Sequence, residues 1–388
     1  MSRAQYQVAI FDAIGGCAST LRRTLERKVL ELDVDPSELR FFDEDSAAAI
    51  DQLLPRVGVL FSDDERGQKF APAVTALTEN AAVVIPAVHS VEDFASKVPE
   101  SLRPVNALAL DRADEQLEAV ASLVLELFGL LRNRRRVFIS YKRVESADVA
   151  LQLHHQLDAR AFEVFLDTLS VRAADTFQET LWHRMADSDL VVLLYTRSVL
   201  ESGWVAQELE RANGMGISVL QVIWPGVARD RRTDLFEPFY LRKRDFRLWR
   251  RRSLNDRTAS EIAVAVEKLR ARSLAAREAK LVGNLCELAR SRRIQPVVQR
   301  ARYVDLLCPG DGPVTRVIPA LGVPDAQAVQ RCTTFVPPPK APESIVLLYD
   351  SVSVANEWLG HLAWLDRYLP VKTVKTADLA TWLGTICP

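Results

Sequence analysis

The sequence is short of most features that announce a function by themselves. No apolar run approaches the roughly 18 residues that a membrane-spanning helix requires. The first apolar stretch is short and broken by Asp12, which is not the layout of a secretory signal. The expectation is a cytoplasmic protein with no membrane partner. Charge of one sign is not in excess either: 50 Lys and Arg face 51 Asp and Glu, for a formal net charge of -1. That balance gives no global pull toward polyanions, so nucleic acid is not an expected partner. The five cysteines, Cys17, Cys286, Cys308, Cys332 and Cys387, are scattered and include no C-x-x-C pair. They predict free thiols in a reducing compartment and no zinc site. His154 and His155 are adjacent, so they point to different sides of their helix and make a poor metal pair. No metal and no resident cofactor are expected.

What the sequence does contain is a rhythm. Its 388 residues, 48% of them hydrophobic, suffice for two or three packed domains. Short apolar runs alternate with helical patterns, which means βα units and mostly parallel sheets. The first set runs from QVAIFDA through LRFFDED, VGVLFSDD, AAVVIPAV and VNALALD to a helix, EQLEAVASLVLELFGLL. About five strands make a complete flavodoxin-like domain over residues 1–133. After the basic break RNRRR a second set begins with VFISYKR and closes with the long helix ASEIAVAVEKLRARSLAAREAKL, giving a domain over 134–280. Residues 281–388 read as a smaller α/β domain. It has strand candidates YVDLLC and SIVLLYD, an extended Pro-rich link, FVPPPKAPE, and a Trp-rich helix, ANEWLGHLAWLDRYL.

Four motifs of the second set stand in a telling order: VFISYKR, FEVFLDT, the polar loop LSVRAADT running into FQETL, and DLVVLLY followed by Trp204-x-x-x-Glu208. In that order and spacing, residues 136 to about 275 resemble a TIR (Toll/interleukin-1 receptor) domain. The loop departs from the family's frequent Gly-Asp-x-Phe, with Ala174 in the Gly place before Asp175, Thr176 and Phe177. The resemblance implies a flavodoxin-like parallel sheet. It also implies one of two functional classes, a scaffold signalling through homotypic contact or an enzyme that cleaves the nicotinamide–ribose bond of NAD+. The enzymes carry a Glu in the Trp-x-x-x-Glu helix, and Glu208 stands at that position. On this reading NAD+ is the substrate, and the chain is similar to prokaryotic immune effectors activated by self-association, their trigger sensed by the flanking domains.

The chemistry explains those residue types. Loss of nicotinamide leaves oxocarbenium character on the ribose, which a neighbouring carboxylate stabilises. Nicotinamide is already a good leaving group, so one carboxylate suffices, and Glu208 is the candidate catalytic residue. Trp204 shares its helix face and can stack on the cationic pyridinium. The bland alternative is packing for Trp204 and solvation for Glu208. Arg143, just past a strand end, either binds the phosphates or is a surface arginine. Tyr141, Ser170 and Phe177 complete the candidate substrate site, with core packing as the alternative for Tyr141 and Phe177.

Three further patterns ask for an explanation. Gly15 and Gly16 follow a strand and precede a helix, the place of a phosphate cradle, but without G-x-G-x-x-G or G-K-[ST] they read as a plain turn. The basic stretch LRKRDFRLWRRR reads as a solvated or interface face. A strand-end aromatic is followed nine residues on by a second aromatic in Tyr195/Trp204, Phe61/Phe70 and Tyr349/Trp358. The Glu208 place is held by Val74 and Leu362 in the other two copies, so neither is expected to be catalytic by this route.

Overall fold

A computed structural model describes residues 6–387 apart from 33, 53, 81, 91–93, 106, 111–112, 133, 169–174, 200–211, 248–252, 300–302, 311–312, 335–343 and 353. Among the described residues the strands form three five-stranded sheets. The chain divides into two units, residues 1–133 with 263–272, and residues 134–262 with 273–388.

The first unit contains β1 (Tyr6–Asp12), α1 (Cys17–Glu31), β2 (Leu39–Phe42), β3 (Arg56–Phe61), α2 (Ala71–Glu79), β4 (Val83–Val88), α3 (Phe94–Lys97), β5 (Leu108–Ala109) and α4 (Ala113–Leu127). Its sheet has the order β2-β1-β3-β4-β5, with every pairing parallel. Between α1 and α4, the wholly buried Lys28 and the neighbouring Arg27 both pair with Glu118. Arg270, 1% exposed, pairs with Glu126 at 2.6 Å in the same unit.

The second unit carries two sheets. Its first elements are β6 (Arg136–Tyr141), α5 (Arg143–Asp158), β7 (Glu163–Thr168), α6 (Asp175–Ala186), β8 (Leu190–Tyr195), β9 (Ser218–Ile223) and β10 (Glu237–Tyr240). These give the order β10-β9-β8-β6-β7, again parallel throughout. All six residues of β8 are buried, because a parallel strand is covered on both faces and must be apolar along its whole length. The long helix α7 (Asp256–Ser291) starts at Asn255, whose side chain accepts the Thr258 N–H at 2.8 Å. Residues 280 and 281, on either side of the expected domain boundary, are consecutive positions inside it. The later part of α7 runs along the amino edge of the β6–β10 sheet. Ser273 Oγ donates to Asp189 O at 2.7 Å and accepts the Ser218 N–H, while Arg277 donates to Ser188 O and Ala186 O.

The remaining elements are β11 (Gln295–Gln299), β12 (Tyr303–Leu307), β13 (Val314–Ala320), α8 (Ala326–Thr334), β14 (Ser344–Tyr349), α9 (Asn356–Tyr368), β15 (Lys372–Lys375) and α10 (Leu379–Ile386). Strands β11, β12 and β13 pair antiparallel, and β13, β14 and β15 parallel. Leu281, Leu285 and Ala289 of α7 and Leu379 and Leu383 of α10 cover one face, over Leu306, Val317 and Leu348. Loops of this sheet meet α6: Val323 N–H donates to Asp187 Oδ1 at 3.1 Å, and Ala355 N–H to His183 Nδ1 at 3.2 Å. Trp358 packs against His183 with ring centroids 5.6 Å apart and the planes tilted by 58°.

The structure corrects the expectation of five free thiols. Cys308 and Cys387 form a disulfide, with Cα atoms 5.6 Å apart, while Cys17, Cys286 and Cys332 are free and buried. The two partners are 79 residues apart in sequence, and the fold brings the chain just after β12 beside the chain just after α10. No local spacing encodes that meeting, and the inference of a reducing compartment loses its basis.

The strand-end members of the three aromatic pairs occupy equivalent places. Phe61, Tyr195 and Tyr349 are each the last residue of a parallel strand with neighbours on both sides, and each is buried. Val74 and Leu362 are core residues, 0% and 1% exposed.

Candidate functional site

In the β6–β10 sheet the strand order reverses direction about β6, with β7 on one side and β8 on the other. A crevice opens at such a switch point, beyond the carboxyl ends of the strands, and it is where open α/β sheets bind ligands. The chain leaving β6 and the chain leaving β8 meet there through their side chains. Lys142 Nζ donates to Ser198 Oγ at 2.5 Å and to Ser198 O at 3.3 Å. Ser198 Oγ in turn donates to Glu145 Oε1, and Lys142 Nζ lies 3.6 Å from the same carboxylate.

The local backbone puts Glu145 there. The N–H groups of Glu145 and Ser146 both donate to Lys142 O at 3.0 Å. Ser146 then leaves the helical region, with φ -143° and ψ 17°, so the first turn of α5 is set off from the rest of the helix. Partial burial works to raise the Glu145 carboxyl, but hydrogen bonding from Ser198 and Thr196 and then the nearby Lys142 ammonium outweigh it and hold the group below the usual Glu range.

The ends of β8 and β9 are closed off. Tyr195 OH accepts the Asp230 N–H at 3.1 Å, and Tyr195 O accepts the Trp224 N–H. Arg229 donates to Gln221 Oε1 at 3.0 Å and to the carbonyls of Thr233 and Phe236.

Of the residues singled out from sequence, Arg143 opens α5 just past the end of β6, is exposed, and has no ion pair among the described residues. Tyr141 ends β6 and is 4% exposed. Trp204, Glu208 and Ser170 lie outside the described residues, as does the side chain of Phe177. Lys142, Glu145 and Ser198 were not singled out. Their partners are 53 and 56 residues away in sequence, and only the strand order brings them together. The Gly15–Gly16 turn is accounted for locally. Asp12 Oδ1 accepts the N–H groups of Ile14 and Gly15 at 3.1 and 2.7 Å, and Oδ2 that of Ala18 at 2.9 Å. The amides that would cradle a phosphate already hold a carboxylate, and φ values of 100° and 86° explain both glycines.

The family model of the TIR domain matches residues 137–260. This chain carries a TIR domain. The match spans β6 through β10, with both strands of the crevice and Glu208 inside it. No curated protein matches the sequence. Solved structures similar to the chain include the tagatose-6-phosphate ketose/aldose isomerase from Escherichia coli, at 9% identity over 73% of this chain and 84% of that one, with a TM-score of 0.22. Another is a mutant of the XylFII-LytSN complex, at 9% identity over 73% and 94%, with a TM-score of 0.19. Among the described residues, no helix is long and apolar enough to cross a membrane, and no group of three or more His, Cys, Asp or Glu is placed to hold a metal ion.

Proposed function

We propose that the TIR domain hydrolyses the nicotinamide–ribose bond of NAD+, with Glu208 as the catalytic carboxylate. One observation carries the reading: Glu208, in a Trp-x-x-x-Glu motif, falls within the residues matched to the TIR family. In the reaction, water adds its oxygen to C1′ of the ribose. The electron pair of the glycosidic bond passes to the nicotinamide nitrogen and neutralises the pyridinium, and one proton is released. Glu208 stabilises the positive charge that builds on the sugar, and Trp204 stacks on the departing ring. Lys142 and Arg143 supply positive charge at the switch-point crevice, where a dinucleotide's phosphates dock. Self-association completes the site on this reading, and the flanking α/β regions sense the trigger.

The test is incubation of the purified chain with NAD+ across a hundredfold range of protein concentration, with chromatography for nicotinamide. Release that climbs more steeply than protein concentration supports both the chemistry and activation by assembly. No release at any concentration leaves a non-enzymatic TIR scaffold.

A further inference from the structure

Helix α9 carries an outward face that its own packing does not use. Leu362 and Leu365 turn inward and are 1% and 8% exposed. On the other side Glu357, Gly360, Trp364, Arg367 and Tyr368 are all exposed, Trp364 at 53% and Tyr368 at 70%. We propose that this face pairs with the same face of a second copy of the chain. The two helices run antiparallel about a two-fold axis level with Leu362, and Trp364 of each copy sits over Gly360 of the other. The surface lies outside residues 137–260 of the TIR match, and the proposal stands independently of the NAD+ reading.

Helix geometry fixes the pairings, and the sequence makes them complementary. At about 3.6 residues per turn, positions two and five residues to either side of Leu362 fall on the side of the helix opposite it. A two-fold axis through that side sets Gly360 against Trp364 of the other copy, and Glu357 against Arg367. The bulkiest side chain thus meets the residue with none. Gly360 is not small for the sake of this chain: a Cβ added there would meet nothing within 4 Å outside its own helix backbone. Glycine weakens a helix relative to alanine, and what it offers in return is close approach by another helix. The charges match in the same register. Glu357 and Arg367 have no ion pair among the described residues, whereas Asp366 is already held by the Thr373 N–H and hydroxyl, both at 2.8 Å. One acid and one base give the face no pull on a polyanion or an anionic membrane, but each finds its opposite in a second copy. The rings are ordered in advance. Trp364 packs against His361 and Tyr368 with centroids 6.0 and 5.3 Å apart, His361 packs against Trp358, and Trp358 Nε1 donates to Pro324 O at 2.7 Å. Docking therefore costs little side-chain freedom, and Trp and Tyr are types that interfaces enrich.

The helix has 13 residues, so the contact is small and the dimer weak. Sedimentation velocity of the full chain at low salt, from about 3 to 300 µM, covers the range of such a complex. The wild type passes reversibly from monomer to dimer. Glu357→Arg and Arg367→Glu each weaken the dimer about tenfold, because two like-charge contacts replace two ion pairs. An equal mixture of these two variants recovers association close to that of the wild type, since the mixed dimer regains both pairs. Gly360→Leu weakens the dimer at least tenfold by blocking Trp364, with a melting temperature no lower than that of the wild type, because the free chain has room for the side chain and leucine is the better helix former. A wild type that stays monomeric throughout overturns the proposal and leaves the face to a different protein. A dimer that none of the variants weakens overturns it by placing self-association on another surface. A mixture no tighter than its two components overturns the antiparallel register.

Discussion

Lys28 Nζ lies 3.1 Å from Glu118 Oε2 with the lysine wholly buried, yet neither atom finds a well-aligned hydrogen bond. Arg27, on the same carboxylate, is partly exposed. A buried charge with one close but imperfect partner is costly to strand and cheap to replace as a pair. Glu118→Ala should therefore destabilise the first unit by about 3–5 kcal/mol, while Lys28→Met combined with Glu118→Leu should be near neutral or stabilising. Urea unfolding measures both. A single variant that loses under about 1 kcal/mol removes the argument for a desolvated charge.

His183 makes a pH prediction. Its Nδ1 accepts the Ala355 N–H, so the ring is neutral in the folded protein. Burial first, then the charges of Arg136 and Arg184, lower its pKa from 6.5. A lowered folded-state pKa means that the unfolded chain takes up the proton first. The contribution to stability is thus present above the unfolded value of about 6.5 and is lost as pH falls below it toward the folded value. The melting temperature of the wild type should drop more between pH 8 and pH 5 than that of His183→Phe. Parallel curves would show that the histidine is not responsible.

The disulfide gives a chemical count. Unfolded without reductant, the chain should show three thiols, and five after reduction. Cys308→Ser should lower stability by about 2–4 kcal/mol, because the bridge closes a long loop in the unfolded chain. Five thiols before reduction contradict the pairing.

Glu208→Gln tests the proposed chemistry. The variant is nearly isosteric and removes only the charge, so NAD+ cleavage should fall by roughly two to three orders of magnitude with the melting temperature held. Turnover near that of the wild type, in a protein that folds normally, moves the catalytic role elsewhere. Val74 and Leu362 are core residues at the corresponding places, so residues around them should add no activity.

The apolar runs of the sequence determined the central strands β1, β3, β4, β6, β8, β9, β12 and β14, because strands covered on both faces are apolar along most of their length. β2, β5 and β7 were legible as well, in LRFFDED, VNALALD and FEVFLDT, but the same logic hid most of the rest. Edge strands β10, β11 and β15 are half-exposed and read as ordinary polar chain, EPFY, QPVVQ and KTVK. Strand β13 is buried but carries Arg316, which looks like a surface residue until Asp305, directly across on β12, is seen to hold it at 2.8 Å. The TIR resemblance was likewise legible, since it lives in strand and motif order. What only the tertiary structure decided is every relationship made across the chain. The order β7-β6-β8 sets Lys142 and Glu145 against Ser198, and the third sheet sets Cys308 against Cys387. The reason is that side-chain pairing depends on which strands become neighbours, and strand neighbours are chosen by the burial of whole faces rather than by any residue's position in the sequence.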